Sequence, residues 1–166
     1  MGNRVKAVLG MGLAIAGASR ATAQTLLESA GLRLELDGRG AVVRLADPRT
    51  GRDYLPAGVP GHLVRVRDAG GAELVPVSVK RAKDLWTFAF DGGIALTVRA
   101  SRKKGYLKFE LVEAVRPERI DAVLWGPIPT TIGETVGEVV GIVRNADLAI
   151  GIQTLNAKTC GGKLVN

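Results

Sequence analysis

Apolar and polar residues alternate along most of this chain, and the alternation returns about every ten residues. In "LRLEL" (32–36), three leucines occupy one face of an extended segment, and Arg33 and Glu35 occupy the other. A period of two predicts β-strands that bury one face. The turn "DGRG" follows, and Asp-Gly is typical of a tight hairpin because it tolerates a positive φ.

The same pattern predicts further strands, in order "AVVRL" (41–45), "HLVRVR" (62–67), "ELVPVSV" (73–79), "LWTFAF" (85–90), "IALTVRA" (94–100), "YLKFELVEA" (106–114) and "IDAVLW" (120–125). In the third run Val75, Val77 and Val79 share a side, and Pro76 predicts an edge strand or a bulge. "EVVGIVR" (138–144) and "LAIGIQTL" (148–155) predict a hairpin around "NAD". Outside the N-terminus, "TLLESA" (25–30) is the one short helix candidate. Together these patterns predict an all-β fold, a two-sheet antiparallel β-sandwich.

The N-terminus has the three parts of a secretory leader. "MGNRVK" is basic, "AVLGMGLAIAGA" (7–18) is small and apolar, and Ala21 and Ala23 form a small-x-small cleavage pattern. As a helix, the apolar run spans about 18 Å, short of the roughly 30 Å needed to cross a bilayer. We predict a cleaved signal peptide (1–23) and a secreted or periplasmic domain (24–166) without a membrane segment; an uncleaved membrane anchor is the alternative.

Charge and composition narrow the classes of partner. The chain has 23 basic and 16 acidic residues; without the basic residues of the leader, Arg4, Lys6 and Arg20, there are 20 against 16, a net charge of +4. The remaining basic residues are dispersed, and "RKK" (102–104) is typical of a solvated turn. Nucleic-acid binders usually concentrate basic and aromatic residues on one face, so nucleic acid is not expected as a partner.

Few residues carry obvious reactive chemistry. His62 is the only histidine and Cys160 the only cysteine, so neither a metal site nor an internal disulfide is predicted, and no cofactor is implied. Of the carboxylates, Glu134 and Glu138 alone form a pair in an irregular, glycine-rich stretch, where a glycosidase pair is conceivable. Turn chemistry or solvent exposure accounts for the other acids.

The stretch "LWGPIPTTIGETVGE" (124–138) interrupts the alternation. Trp125 stands at its start and would either stack on a sugar ring or plug one end of the sandwich. The other residues that would bind a ligand or contact another domain are Thr130, Thr131, Glu134, Arg144, Asn145, Gln153 and Asn156. For Asn145, turn chemistry is an equally good explanation.

The motifs "WGPI" (125–128), "GEVVGIVR" (137–144) and "GIQTLNAKT" (151–159), with the order of short strands, resemble the N-terminal, galactose-mutarotase-like β-sandwich domain of secreted bacterial glycoside hydrolases and related polysaccharide-degrading proteins. The resemblance covers about residues 32–162. It implies that the catalytic residues belong to a separate following domain, and with the abrupt end at Asn166 it suggests a chain truncated at the C-terminus or a fragment.

We therefore expect an exported, non-catalytic domain that packs against a catalytic domain, in cis or in trans, and shapes part of a glycan cleft. Three alternatives stay open: an autonomous lectin-like glycan-binding module, a free-standing glycoside hydrolase using Glu134 and Glu138, and a structural protein of the cell envelope.

Overall fold

The structure is a computed structural model that describes residues 25–137 and 141–159. The predicted leader, Glu138 and Cys160 lie outside these residues. Within the described residues no helix has the length and apolar character needed to span a membrane. The strands are β1 (Thr25–Glu28), β2 (Arg33–Leu36), β3 (Ala41–Ala46), β4 (Gly61–His62), β5 (Val64–Asp68), β6 (Glu73–Leu74), β7 (Ser78–Ala82), β8 (Leu85–Ala89), β9 (Ala95–Arg102), β10 (Leu107–Val115), β11 (Ile120–Trp125), β12 (Thr135–Val136), β13 (Ile142–Arg144) and β14 (Ala149–Gly151).

All the strand pairs are antiparallel, and the all-β sandwich predicted from the alternation is confirmed. One layer combines the sheet β1-β2-β3-β4 with the sheet β11-β5-β6, because only Leu63 separates β4 from β5. The opposite layer is the sheet β10-β9-β8-β7. A third, small sheet, β12-β13-β14, follows β11; we call it the terminal sheet.

The core lies between the two large layers and is built from the residues that the alternation places inward. From the first layer come Leu27, Leu34, Leu36, Val42, Leu45, Leu63, Val64 and Val66, and from the second Val79, Trp86, Phe88, Phe90, Ile94, Leu96, Val98 and Ala100. Removing this apolar surface from water is the main force that holds the layers together.

Two sequence-based expectations about local structure are wrong. "TLLESA" does not begin a helix, because Thr25–Glu28 pairs with β2 and buries Leu27 in the core. "ELVPVSV" is not one strand: it ends at Leu74 and resumes at Ser78, and Val75 and Val77 are exposed. Pro76 has no N–H to continue a ladder, which accounts for the break. The two pieces, β6 and β7, are both edge strands, as the proline predicts.

The hairpins follow the predicted turns. Asp37 donates its N–H to the carbonyl of Ala41 across the "DGRG" turn, and Gly40 has a φ of 82°. The predicted C-terminal hairpin is present as β13 and β14, with Val143 opposite Ile150. The sequence pattern does not predict β12, which lies in the irregular stretch.

Candidate functional site

The irregular stretch after β11 starts on the edge of the first layer. We call residues 126–136 the rim segment. Gly126 has a φ of 81°, and the Gly126–Pro127 peptide is cis. The N–H of Gly126 donates to the carbonyl of Leu63 at 3.0 Å, and the N–H of His62 donates to the carbonyl of Pro127 at 3.1 Å. The first residues of the rim segment therefore take the place of a strand beside β4.

Side chains add to this attachment. Arg65 on β5 donates its Nε to the carbonyl of Gly126 at 2.8 Å, and the same guanidinium pairs with Glu73. Pro129 packs so closely on β4 that a Cβ at Gly61 would lie 2.7 Å from its Cδ. Only glycine at position 61 permits this approach.

The middle of the rim segment reaches a second anchor. Thr131 donates its N–H to the carbonyl of Tyr54 at 2.7 Å, and the hydroxyl of Thr130 accepts the N–H of Ile132 at 3.1 Å. Ile132 is buried. Thr130 thus has a structural bond within the loop, whereas the side chain of Thr131 is exposed.

The outer part of the rim segment, residues 133–136, is exposed. Glu134 lies in it, and β12 then pairs Thr135 with Arg144. The exposed part is consequently held at both ends. Glu138 lies outside the described residues, so the predicted carboxylate pair is represented here by Glu134 alone.

The terminal sheet joins the same region. Asp147, in the turn between β13 and β14, forms an ion pair with Arg52 at 3.1 Å, and Ile150 packs against the core. Asn145 turns the hairpin: its Oδ1 accepts the N–H groups of Asp147 and Leu148 at 3.0 and 2.8 Å. Turn chemistry therefore accounts for Asn145.

The remaining predicted site residues lie around this framework. Trp125 pairs with Val64 at the end of β11 and is half-buried against the core. Arg144 is exposed on β13. Gln153 and Asn156 are exposed beyond β14, where the Oδ1 of Asn156 accepts the N–H of Lys158 at 2.9 Å.

Two residues of the loop between β3 and β4 were missed by the sequence analysis. Tyr54 is almost fully buried, and its hydroxyl has no hydrogen-bond partner among the described residues. Arg52, which also holds Asp147, places its guanidinium 5.1 Å from the centre of the Tyr54 ring. An aromatic residue in the otherwise polar run "ADPRTGRDYL" is the signal that could have found this anchor.

Electrostatic effects shift the pKa of groups in and beside this loop. Burial lowers the pKa of His62, the positive charge of Arg65 lowers it further, and Asp37 acts weakly in the opposite direction. Hydrogen bonds from Arg49 lower the pKa of Asp47, whose carboxylate accepts the Arg49 Nη2 at 2.7 Å. His62 is therefore a neutral imidazole at neutral pH, and Asp47 a carboxylate.

In the part of the chain that the structure describes, no three His, Cys, Asp or Glu residues are grouped as metal ligands. Comparison of the chain with known protein families, with characterised proteins and with solved structures finds no match. The resemblance to a galactose-mutarotase-like domain stays a prediction.

Proposed function

We propose that this chain is an exported, non-catalytic β-sandwich domain of carbohydrate-degrading machinery, which packs against a catalytic domain and forms part of the wall of its glycan cleft. The observation that carries the proposal is the rim segment. Its residues 133–136 are exposed. Backbone hydrogen bonds attach residues 126–127 to β4 and its neighbour Leu63, Thr131 to Tyr54, and β12 to β13. A contact surface held in place before binding loses little conformational entropy on binding.

The chemistry of this surface suits a contact with a glycan and a protein domain. Thr131 and Glu134 offer a hydroxyl and a carboxylate on the rim, and Arg144 offers a guanidinium on the adjoining strand. Trp125 supplies a half-buried indole at the base of the rim. The carbohydrate class itself comes from the resemblance of "WGPI", "GEVVGIVR" and "GIQTLNAKT" to polysaccharide-degrading proteins.

Trp125→Ala provides the first test. Because the indole packs against the core at the end of β11, we expect the free energy of unfolding to fall by about 1–3 kcal/mol in urea titrations. We also expect weaker association with the catalytic domain. Unchanged stability together with unchanged association and glycan binding would exclude both a contact and a plug at this position.

Glu134→Ala distinguishes a loss of association from a loss of stability, because Glu134 is exposed and its removal should not affect folding. Association would be measured with a catalytic glycoside hydrolase chain encoded beside this one, in the presence and absence of its polysaccharide. We expect a severalfold loss of association with an unchanged melting temperature. The matched control Glu118→Ala should show no loss, because Glu118 is exposed in the turn before β11, at the opposite end of that strand from the rim segment.

Other results would replace the proposal. Tight binding of the isolated chain to a polysaccharide array would indicate a lectin-like module. Release of reducing sugar that disappears in both Glu134→Gln and Glu138→Gln would indicate a hydrolase. If the chain bound neither a glycan nor a catalytic partner, a structural role in the cell envelope would be the remaining alternative.

A further inference from the structure

Strand β10, Leu107–Val115, is the longest described strand and forms one edge of the sheet β10-β9-β8-β7. Within residues 25–137 and 141–159, β9 is its one strand neighbour. The other side of the β10 backbone therefore offers unpaired N–H and C=O groups to another chain.

The hairpin between β9 and β10 determines which residues offer these groups. Lys103 donates its N–H to the carbonyl of Tyr106 at 2.9 Å, which makes these two residues a hydrogen-bonded pair. Bonded and non-bonded pairs alternate along an antiparallel ladder. The backbone N–H and C=O groups of Lys108 and Glu110 consequently bond to β9. Those of the residues between and beside them point away from β9.

The outward-directed backbone groups are those of Leu107, Phe109 and Leu111. The opposite strand supplies an independent check: Ala100, the partner of Phe109 on β9, donates its N–H away from β10, to the carbonyl of Asp84 at 2.8 Å. Every second residue from Leu107 to Leu111 thus presents backbone groups that no described strand pairs with.

We propose that two copies of this chain pair antiparallel through this edge, with the twofold axis at Phe109. Leu107 then lies opposite Leu111 of the second copy, and Lys108 lies opposite Glu110. The four strands of each copy join into one continuous antiparallel sheet. The proposal stands apart from the glycan function, since the rim segment is on the other layer.

Charge selects this register over its neighbours. An axis at Lys108 or at Glu110 would also keep the hydrogen bonds along the edge. It would, however, place the two Lys108 side chains, or the two Glu110 side chains, directly opposite each other. Like charges directly opposite each other destabilise a strand pair, and opposite charges stabilise it. The twofold axis at Phe109 alone brings two Lys108–Glu110 pairs together.

The apolar residues of β10 favour the same partner. Leu111 lies opposite Val98, which is fully buried, yet Leu111 itself is 39% exposed. Leu111 faces the core side of the sheet, and its side chain is exposed because no described strand lies beside β10 on the side away from β9. Tyr106 and Val112, both exposed, come opposite each other in the proposed register. The bulge between Leu111 and Glu113 then ends the pairing, which limits the interface to a short segment of each copy.

The test is sedimentation equilibrium over a range of concentrations, with a reductant present because the chain contains Cys160. We expect a monomer–dimer equilibrium. Lys108→Glu and Glu110→Lys should each raise the dimer dissociation constant by about tenfold or more, since two attractive pairs become repulsive. A one-to-one mixture of the two variants restores both opposite-charge pairs and should dimerise as tightly as the unaltered chain.

Lys80→Glu is the matched control, because Lys80 is exposed on β7, the opposite edge of the same sheet. It should leave the dissociation constant unchanged. Leu111→Lys should weaken the dimer without changing the far-ultraviolet dichroism. A monomer at concentrations up to about 1 mM, a Lys80→Glu effect equal to that of Lys108→Glu, or a mixture no tighter than either variant alone would overturn the proposal.

Discussion

His62 lies where β4 meets the rim segment, and its backbone N–H donates to Pro127. Its ring is half-buried near Arg65, and both effects lower its pKa. The sequence pattern places this imidazole at the start of the strand "HLVRVR" (62–67). It does not predict the contact with Pro127, because that contact depends on a segment far away in the chain.

The lowered pKa of His62 predicts how stability depends on pH. As pH falls below about 6.5, the unfolded chain binds a proton at this imidazole before the folded chain does, so the free energy of unfolding decreases. Urea titrations between about pH 7.5 and 5.5 should show this decrease, because His62 is the only histidine.

The variant His62→Gln serves as the comparison. It cannot titrate, so the decrease in this pH range should disappear or become much smaller. An equal decrease in His62→Gln and in the unaltered chain would show that another group is responsible.

At the scale of elements, the rim segment depends on a close backbone approach. Pro129 contacts Gly61, and Thr131 bonds to Tyr54 on the loop that precedes β4. An irregular segment is thereby attached to the first layer by backbone hydrogen bonds and a close contact. The apolar alternation has no bearing on this attachment, which explains why the sequence pattern presents the region only as an interruption.

Gly61→Ala tests this packing. A Cβ at position 61 would lie 2.7 Å from Pro129 Cδ, so Pro129 must move away from β4. We expect a loss of about 1–3 kcal/mol in the free energy of unfolding. Gly31→Ala is the control, because its Cβ would have no neighbour within 4 Å, and it should change stability by about 0.5 kcal/mol or less. Equal effects of the two substitutions would contradict the proposed contact.

At the scale of the whole molecule, the chain combines a deeply packed sandwich with a lightly packed terminal sheet. Trp86, Phe88, Leu96 and Val98 of β8 and β9 are fully buried. The three strands of the terminal sheet contain no fully buried residue among those described. The ion pair between Arg52 and Asp147 is largely exposed and contributes little to stability.

Native-state hydrogen exchange should therefore separate the two parts. We expect the amides of β8 and β9 to exchange only on global unfolding, and those of β13 and β14 to exchange through local opening at a lower free energy. Asp147→Asn removes only an exposed ion pair, so it should accelerate exchange in β13 and β14 by severalfold at most and leave β8 and β9 unchanged. Uniform protection across both parts would contradict this division.

The alternation of apolar and polar residues was sufficient to predict the all-β class, most strand positions and the inward-facing residues. Val75 and Val77 depart from it, because Pro76 interrupts the ladder and leaves them exposed. Thr25–Glu28 forms a strand and not the expected helix, because pairing with β2 outweighs the weak helical preference of so short a segment.

Patterning of side chains along one strand is a local property, and for this reason the sequence by itself determined the all-β class, most turns and the inward-facing side of most strands. Only the tertiary structure decided that Tyr54, Gly61 and Arg65 hold the rim segment, and that β10 has a strand neighbour on one side only among the described residues. These features arise from contacts between distant parts of the chain, where steric fit and hydrogen-bond geometry select the partners, and no local period records them.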